Sequence, residues 1–339
     1  MLSELKTYQG ITIKYSKRSL IPTPVFDLYW YFATERQNIF LKKLQGIQHP
    51  WTQDQILSQY KFTNSYRVTD RVSQFLIKNV IYKKAYSLQD TFFRIILFKL
   101  FNKIETWEEL EKEFGEISLR TYNFDKYDNV LSELLKKNVS IYSAAYIMAS
   151  GGSFYNHKRK HQNHLKLLEH LIKDKIPEKL NNSSTMKEGY NLLLKYPSIG
   201  TFLAYQFITD INYSEITDYS EMEFVKAGPG AIEGISKCFK DYTNYSSEDI
   251  IRIVTEDQDY HFERLNLQFN NLFGRKLQLI DCQNLFCEIG KYARVSHPNI
   301  QGNSTRVRIK QKYKANNKEK IKLFLPPKWN LEFNINNYV

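Results

Sequence analysis

Five carboxylates, Asp210, Glu215, Asp218, Glu221 and Glu223, fall in one short stretch. Just before them, Tyr196-Pro197-Ser198-Ile199-Gly200 joins two apolar segments, Met186 to Tyr196 and Thr201 to Ile211. The spacing predicts two helices and a hairpin turn. Such a turn can aim backbone N–H groups at one phosphate, with Gly200 allowing close approach and the next helix offering its positive N-terminus. Ser198, Gly200 and Thr201 are the residues expected there. A carboxylate near a sugar's anomeric carbon stabilises the positive charge that builds as an N-glycosidic bond breaks, or activates water. Glu221 is the first candidate for that role, with Asp218 and Glu223 beside it. A plain interhelical turn and a solvated acidic loop are the simpler readings of each feature taken alone.

Other polar constellations stand at helical spacing. Asn64, Arg67, Asp70, Arg71 and Gln74 share one face of a helix expected over Asn64 to Ile81, and suit a lined pocket or an exposed salt-bridged face. Asp281, Asn284, Glu288 and Lys291 form a similar stripe, in which Glu288 and Lys291 stand at i, i+3. Asn284, Glu288 and Lys291 join the first stripe as candidate substrate contacts. Ala227-Gly228-Pro229-Gly230-Ala231 reads either as a glycine-rich approach to a phosphate through Gly228 and Gly230 or as a sharp turn into a helix. His157, His161 and His164 could ligate a metal, but the intervening residues are basic. A phosphate-facing helix carrying Lys158 and Arg159 is preferred, and no metal or cofactor is expected.

The chain has 339 residues, a formal net charge of +12, 24 Tyr and 22 Phe. That length fits one large or two moderate domains. The basic balance favours an anionic partner, nucleic acid ahead of membrane. Cys238, Cys282 and Cys287 form no CxxC pair, which argues against a disulfide framework, a zinc ribbon and a four-cysteine cluster, and fits a reducing cytoplasm. No leader-like run is present, and the greasiest stretch, Phe92 to Phe101, is short and holds Arg94 and Lys99, so it is not expected to span a bilayer. No GxxxxGK[ST] loop occurs.

The elements that must position these residues are mostly helices. They are expected at Phe26 to Leu44 with Gly46 as the stop, from a Thr52/Gln55 capping box, and at Asn64 to Ile81, Leu88 to Lys103, Trp107 to Phe114, Asp125 to Lys137 and Ser143 to Ala149. Further helices are expected at His157 to Lys173, in the hairpin pair, and at Pro229 to Phe239, Ser247 to Asn271 and Ile280 to Tyr292. Residues 1–24 read as a basic arm or short strands. Arg306, Arg308, Lys310, Lys312 and Lys314 alternate as in a strand or extended arm, with Arg306 and Arg308 as phosphate contacts. The expected architecture is all-α: a basic arm (1–24), a helical domain (25–298, hairpin near 186–211) and a basic extension (299–339), with small irregular or β additions at the ends.

The hairpin resembles that of helix-hairpin-helix DNA glycosylases. More specifically, Ala33-Thr34-Glu35-Arg36, Pro50-Trp51-Thr52-Gln53-Asp54, Phe62 to Arg71, Phe224 to Ala231 and Gln283 to Glu288 resemble a phage and bacterial family. It is named for α-glutamyl/putrescinyl-thymine pyrophosphorylases and for the helical domain found with 5-hydroxymethyldeoxyuridine DNA kinases. The resemblance implies a two-lobed helical core and a substrate of double-stranded DNA carrying modified bases. The family includes anti-phage glycosylases that excise hypermodified bases, such as glucosylated hydroxymethylcytosine, to leave abasic sites. It also includes proteins held to build modified thymines. Thr201, Phe202 and Leu203 stand where strand-cleaving glycosylases carry a lysine, which implies base release without lyase chemistry. The glycosylases' acid is an aspartate one helix and a loop later; Glu221 stands nearest that place. The expectation is a monofunctional glycosylase that flips a bulky base into a pocket between the lobes. A base-hypermodification enzyme and a non-catalytic DNA-binding module are the alternatives.

Overall fold

The computed structural model describes residues 13–15, 18–242, 244–314 and 321–332. The described residues are predominantly helical and divide into two compact units: those up to Asp70, from Val225 to Leu323 and from Leu331 on form the first, and residues 71–224 and 324–330 the second. Parts of the expected terminal arms, including Lys318 and Lys320, lie outside the described residues.

In the first unit, the strands β1 (Ile13–Tyr15) and β2 (Arg18–Leu20) pair antiparallel and lead into α1 (Pro24–Leu44). Thr23 caps α1 by accepting the Val25 N–H, Pro24 stands in the first turn, and Gly46 turns the chain out at φ 77°. Then come α2 (Gln55–Gln59), a 3₁₀ turn (Arg67–Thr69), α12 (Pro229–Cys238), α13 (Ser247–Glu256), α14 (Gln258–Arg264) and α15 (Leu279–Ser296). Buried Phe26, Tyr29, Trp30 and Phe32 on α1, with Phe286 and Tyr292 on α15, centre the core. The crossing of α12 and α15 is close enough that a Cβ at Gly234 would lie 1.8 Å from the Phe286 carbonyl oxygen, so only glycine fits.

The second unit holds α3 (Arg71–Phe75), which runs on into a π turn (Leu76–Ile81), then α4 (Leu88–Phe101), α5 (Ile104–Phe114), α6 (Phe124–Lys136) and α7 (Gly152–Tyr155). It continues with α8 (Lys160–Lys173), α9 (Ile176–Asn181), α10 (Met186–Leu194) and α11 (Thr201–Ile211), and a 3₁₀ turn (Pro327–Trp329) returns to it. α4 is its buried axis. Arg94 on α4 is fully buried and donates to the carbonyls of Asn79, Val80 and Ile117, supplying the partners that the π turn and a loop cannot find in regular structure. Lys99 is equally buried and pairs with Asp210 at 3.0 Å. No described helix is long and apolar enough to cross a membrane.

Several expected elements are corrected. Residues 64–70 form no α-helix, only the 3₁₀ turn at Arg67–Thr69, so Asn64, Arg67 and Asp70 share no helix face; the α-helix starts at Arg71. Asp54, not Thr52, caps α2, accepting from the Ile56 and Leu57 N–H groups, while the Thr52 hydroxyl turns to Glu35. Residues 143–149 form bends with Tyr146 at φ 56°. The expected helix over 247–271 breaks at Asp257 and stops at Arg264. Arg306 to Lys314, by contrast, takes the extended-arm alternative, held by the Lys61 N–H on the Gln311 carbonyl and the Tyr313 N–H on the Gln59 carbonyl.

Candidate functional site

In the first unit, polar side chains gather around Arg36, which the α1 pattern buries. Its Nε donates to the Thr63 carbonyl at 2.9 Å and its Nη2 to Asn64 Oδ1 at 2.7 Å. Asn64 passes this on: its Nδ2 donates to the Thr69 carbonyl at 3.0 Å and its backbone N–H to Asp70 Oδ1 at 2.8 Å. From α15, Glu288 accepts the Thr63 N–H at 3.1 Å and pairs with Lys291 at 2.7 Å. Lys291 also donates to the Lys61 carbonyl. Burial, the largest influence, raises the Asp70 carboxyl from 3.8 to about 7; the Asn64 N–H and Arg36 oppose it, and Glu288 adds to it. An acid poised there can hold or release a proton at neutral pH. Arg67 is buried and its N–H donates to Asp281. Asn284 is half-buried one turn before Glu288.

Gly228 is buried at the start of α12, and a Cβ at Gly230 would lie 2.2 Å from Cys287 Sγ. Packing on α15, rather than a phosphate approach, accounts for the glycine at Gly230. Arg306 and Arg308 are exposed on the anchored extension, as are Lys310, Lys312 and Lys314.

In the second unit, α10 and α11 form the expected hairpin. Ser198 sits at φ 68°, where a side chain is strained, and Gly200 leads directly into α11. Gly200 is exposed with an ordinary φ of −80°, and a Cβ there would meet nothing within 4 Å. Neither backbone conformation nor packing demands a glycine there. The α11 N-terminus has no side-chain cap, leaving first-turn N–H groups for an anion.

The acidic stretch separates by burial. Asp210 is buried on α11 and serves the Lys99 pair. Glu215 accepts from the Tyr82 hydroxyl. The Asp218 side chain is 95% exposed, and Glu223 is also exposed, whereas Glu221 is buried. Asn212 shapes the loop, accepting from the Thr217 hydroxyl and the Tyr219 N–H and donating to the Tyr219 carbonyl. Lys328 donates to the Ser214 and Thr217 carbonyls and stands 3.6 Å from Asp218. Burial lowers its amine, against the opposing pull of Asp218, Glu215 and Glu221.

The model of the 5-hmdU DNA kinase helical domain matches residues 23–302. The chain belongs to this helical-domain family. The 5-hmdU DNA kinase of Bacillus phage SP10 is 28% identical over 289 residues, which cover 79% of this chain and 45% of the phage protein. The chain thus spans under half the length of that relative. No solved structure matches it.

Within this helical-domain family member, the sequence-predicted residues therefore divide. Asn64, Asp70, Glu288 and Lys291 meet around Arg36. Arg71 forms an exposed pair with Glu105. Gln74 exchanges two hydrogen bonds with the Phe324 backbone, which uses up the amide expected to face a ligand. His161 and His164 point inward instead of toward a phosphate: His161 bonds Asp128, and His164 bonds Tyr142 and the Ala149 carbonyl. Among the described residues no group of three or more His, Cys, Asp or Glu could hold a metal. Lys158 and Arg159 precede α8 and are exposed. Sequence reasoning missed two residues. Arg36 was visible only inside Ala33-Thr34-Glu35-Arg36, and Lys328 gave no signal.

Proposed function

We propose that this protein binds double-stranded DNA carrying hypermodified pyrimidines and excises the modified base without cutting the strand, as an anti-phage defence. The observation that carries the reading is the hairpin followed by an acidic loop with one buried carboxylate. Gly200 and Thr201 hold a backbone phosphate at the α11 N-terminus. Glu221 stabilises the oxocarbenium-like sugar or activates water. The exposed row from Arg306 to Lys314 adds sequence-independent phosphate contacts. The Arg36-centred cluster contributes hydrogen-bonding groups to recognition of the modified base, with Asp70 and Asn284 as the contacts and Asn64 holding the turn that presents Asp70. The second unit offers no lysine next to the hairpin glycine, consistent with base release alone.

The phage relative's name favours a second reading, transformation of a hydroxymethylpyrimidine in place of its removal. Phosphoryl transfer needs a nucleotide-phosphate cradle, and this sequence has no GxxxxGK[ST] loop. The experiment is incubation with phage DNA containing glucosylated 5-hydroxymethylcytosine or 5-hydroxymethyluracil. Nucleoside mass spectrometry and an aldehyde-reactive probe are read together. Free modified base with abasic sites supports excision. A new nucleoside supports modification, and unchanged DNA across the panel refutes both.

A further inference from the structure

An unassigned groove lies in the second unit, away from the hairpin in sequence. Between α6 and the turn entering α8 is an open cavity of about 540 Å³ bordered by Asp128, Ser132, Lys136, Lys158, Arg159 and Gln162. A neighbouring hollow of about 460 Å³ shares Ser132, Lys136 and Arg159 with it and is lined by Leu135, Tyr142 and Lys160. The two hollows adjoin at these shared residues, as two chemically different ends of one stretch of surface.

The first end is polar. Asp128 is its one deep carboxylate and is fully engaged, accepting from His161 at 2.6 Å, Gln162 at 2.8 Å and Ser132 at 3.1 Å. Burial pushes this carboxyl up, but those hydrogen bonds outweigh it and hold the group ionised and occupied. Glu133 is neutralised by Lys136 at 2.6 Å. Lys158 and Arg159 are exposed at the rim, where Arg159 also acts on Glu133, and Lys136, Lys158 and Arg159 together outnumber the carboxylates Asp128 and Glu133. The free charge at this end is therefore positive. The second end is apolar. Leu135 is 40% exposed, and the half-buried Tyr142 ring is fixed by a hydrogen bond from its hydroxyl group to His164 at 2.9 Å and packed between Phe101 at 5.2 Å and Lys160 at 4.7 Å, so that its edge borders the hollow.

An anion seat continuous with an aromatic and aliphatic seat matches one nucleotide: a phosphate at one end and a planar base at the other. A base inside a duplex has its faces covered by stacking and its edge by pairing, and would present neither to Leu135 and Tyr142. We propose that this groove binds an unpaired nucleotide, its phosphate on Lys158 and Arg159 and its base against Leu135 and Tyr142. The ligand chemistry is shared by a single-stranded DNA segment and a free nucleoside triphosphate. The site stands independently of the reaction at the hairpin and acid loop.

The test uses the full chain with two probes, a fluorescent oligo-dT and ATP, followed by anisotropy and by competition. The substitutions Lys158→Ala with Arg159→Ala, and separately Leu135→Ser, lie at exposed positions, and circular dichroism checks that the fold persists. The double variant is expected to bind at least one probe about tenfold more weakly. For oligo-dT its salt slope should fall by about 0.7, since one phosphate contact is lost. Leu135→Ser should weaken the same probe severalfold with the slope unchanged. Loss for oligo-dT assigns a DNA strand, and loss for ATP a free nucleotide. As a control for loss of charge alone, Lys83→Ala with Lys112→Ala, at exposed positions outside the groove, should leave binding of the affected probe unchanged. Both probes binding both variants as they bind the parent, with the fold intact, would overturn the proposal.

Discussion

Asp70→Asn isolates the desolvated carboxyl of the Arg36 cluster. Asparagine keeps an oxygen for the Asn64 N–H and is close in shape to the protonated acid, but it does not titrate. The folded-state value is raised from 3.8 to about 7. The protonated acid therefore stabilises the fold: its contribution is complete below the unfolded value and is lost as pH rises through the folded one. At about 1.36 kcal/mol per unit, full expression costs the parent about 2.5 kcal/mol between pH 5 and pH 8. Water reaching this half-buried side chain lowers that to between about 1 and 2.5 kcal/mol. Urea unfolding of parent and variant, run side by side from pH 5 to pH 8, reads the quantity directly. Every other titrating group cancels in the difference, and Trp30 and Trp51 report the unit that holds Asp70. The variant should gain on the parent as pH rises. A difference that stays flat across this range would refute the claim that this cluster desolvates the carboxyl.

Three more expectations follow from the second unit. Glu221→Gln should lower base release by about 10²–10³ while duplex binding persists; Asp218→Asn and Glu223→Gln, at exposed positions, should stay within severalfold. Gly200→Ala should leave the melting temperature unchanged or raise it, because the position is open and its φ ordinary, yet weaken duplex binding about tenfold in anisotropy; equal binding would remove the hairpin from the DNA surface. Lys99→Met should destabilise by about 3–5 kcal/mol in urea unfolding by removing the cation that faces the buried Asp210 carboxylate, and Asp210→Leu added to it should recover most of the loss.

The helical architecture was legible because helix periodicity and terminal signals report locally. α6, α8, α10, α11 and α15 stand within a few residues of where apolar spacing places them. The failure over residues 64–70 has a long-range cause. Arg36 and Glu288, far away in sequence, take the carbonyl of Thr63 and the N–H of Thr63, so that backbone no longer needs a helix to satisfy it. Of the two readings of the alternation from Arg306 to Lys314, strand or extended arm, the structure takes the arm for a related reason. Its backbone is tied at a few points, to Lys61 and Gln59, and offers no continuous ladder.

The same accounting explains which polar residues stayed hidden. Arg36 serves residues 62–64, Arg94 the carbonyls of Asn79, Val80 and Ile117, and Lys328 the carbonyls of Ser214 and Thr217. Each carries a charge into a poorly exposed place in order to satisfy irregular backbone, because buried carbonyls without partners are costly. No periodicity marks such a residue, since its target is an interruption of periodicity elsewhere in the chain. Asn64, Asp70, Glu288 and Lys291 were found as members of stripes, but Asn64 and Asp70 meet the other two through the irregular turn that the stripe denied. The acid loop follows the same rule in reverse. Five carboxylates look alike in sequence, and Asn212 and Lys328, by shaping and tying the loop, help separate buried Glu221 from exposed Asp218 and Glu223. Burial is what makes a carboxylate worth testing as a catalyst, and here it is decided by hydrogen bonds to backbone that residue type and spacing do not encode.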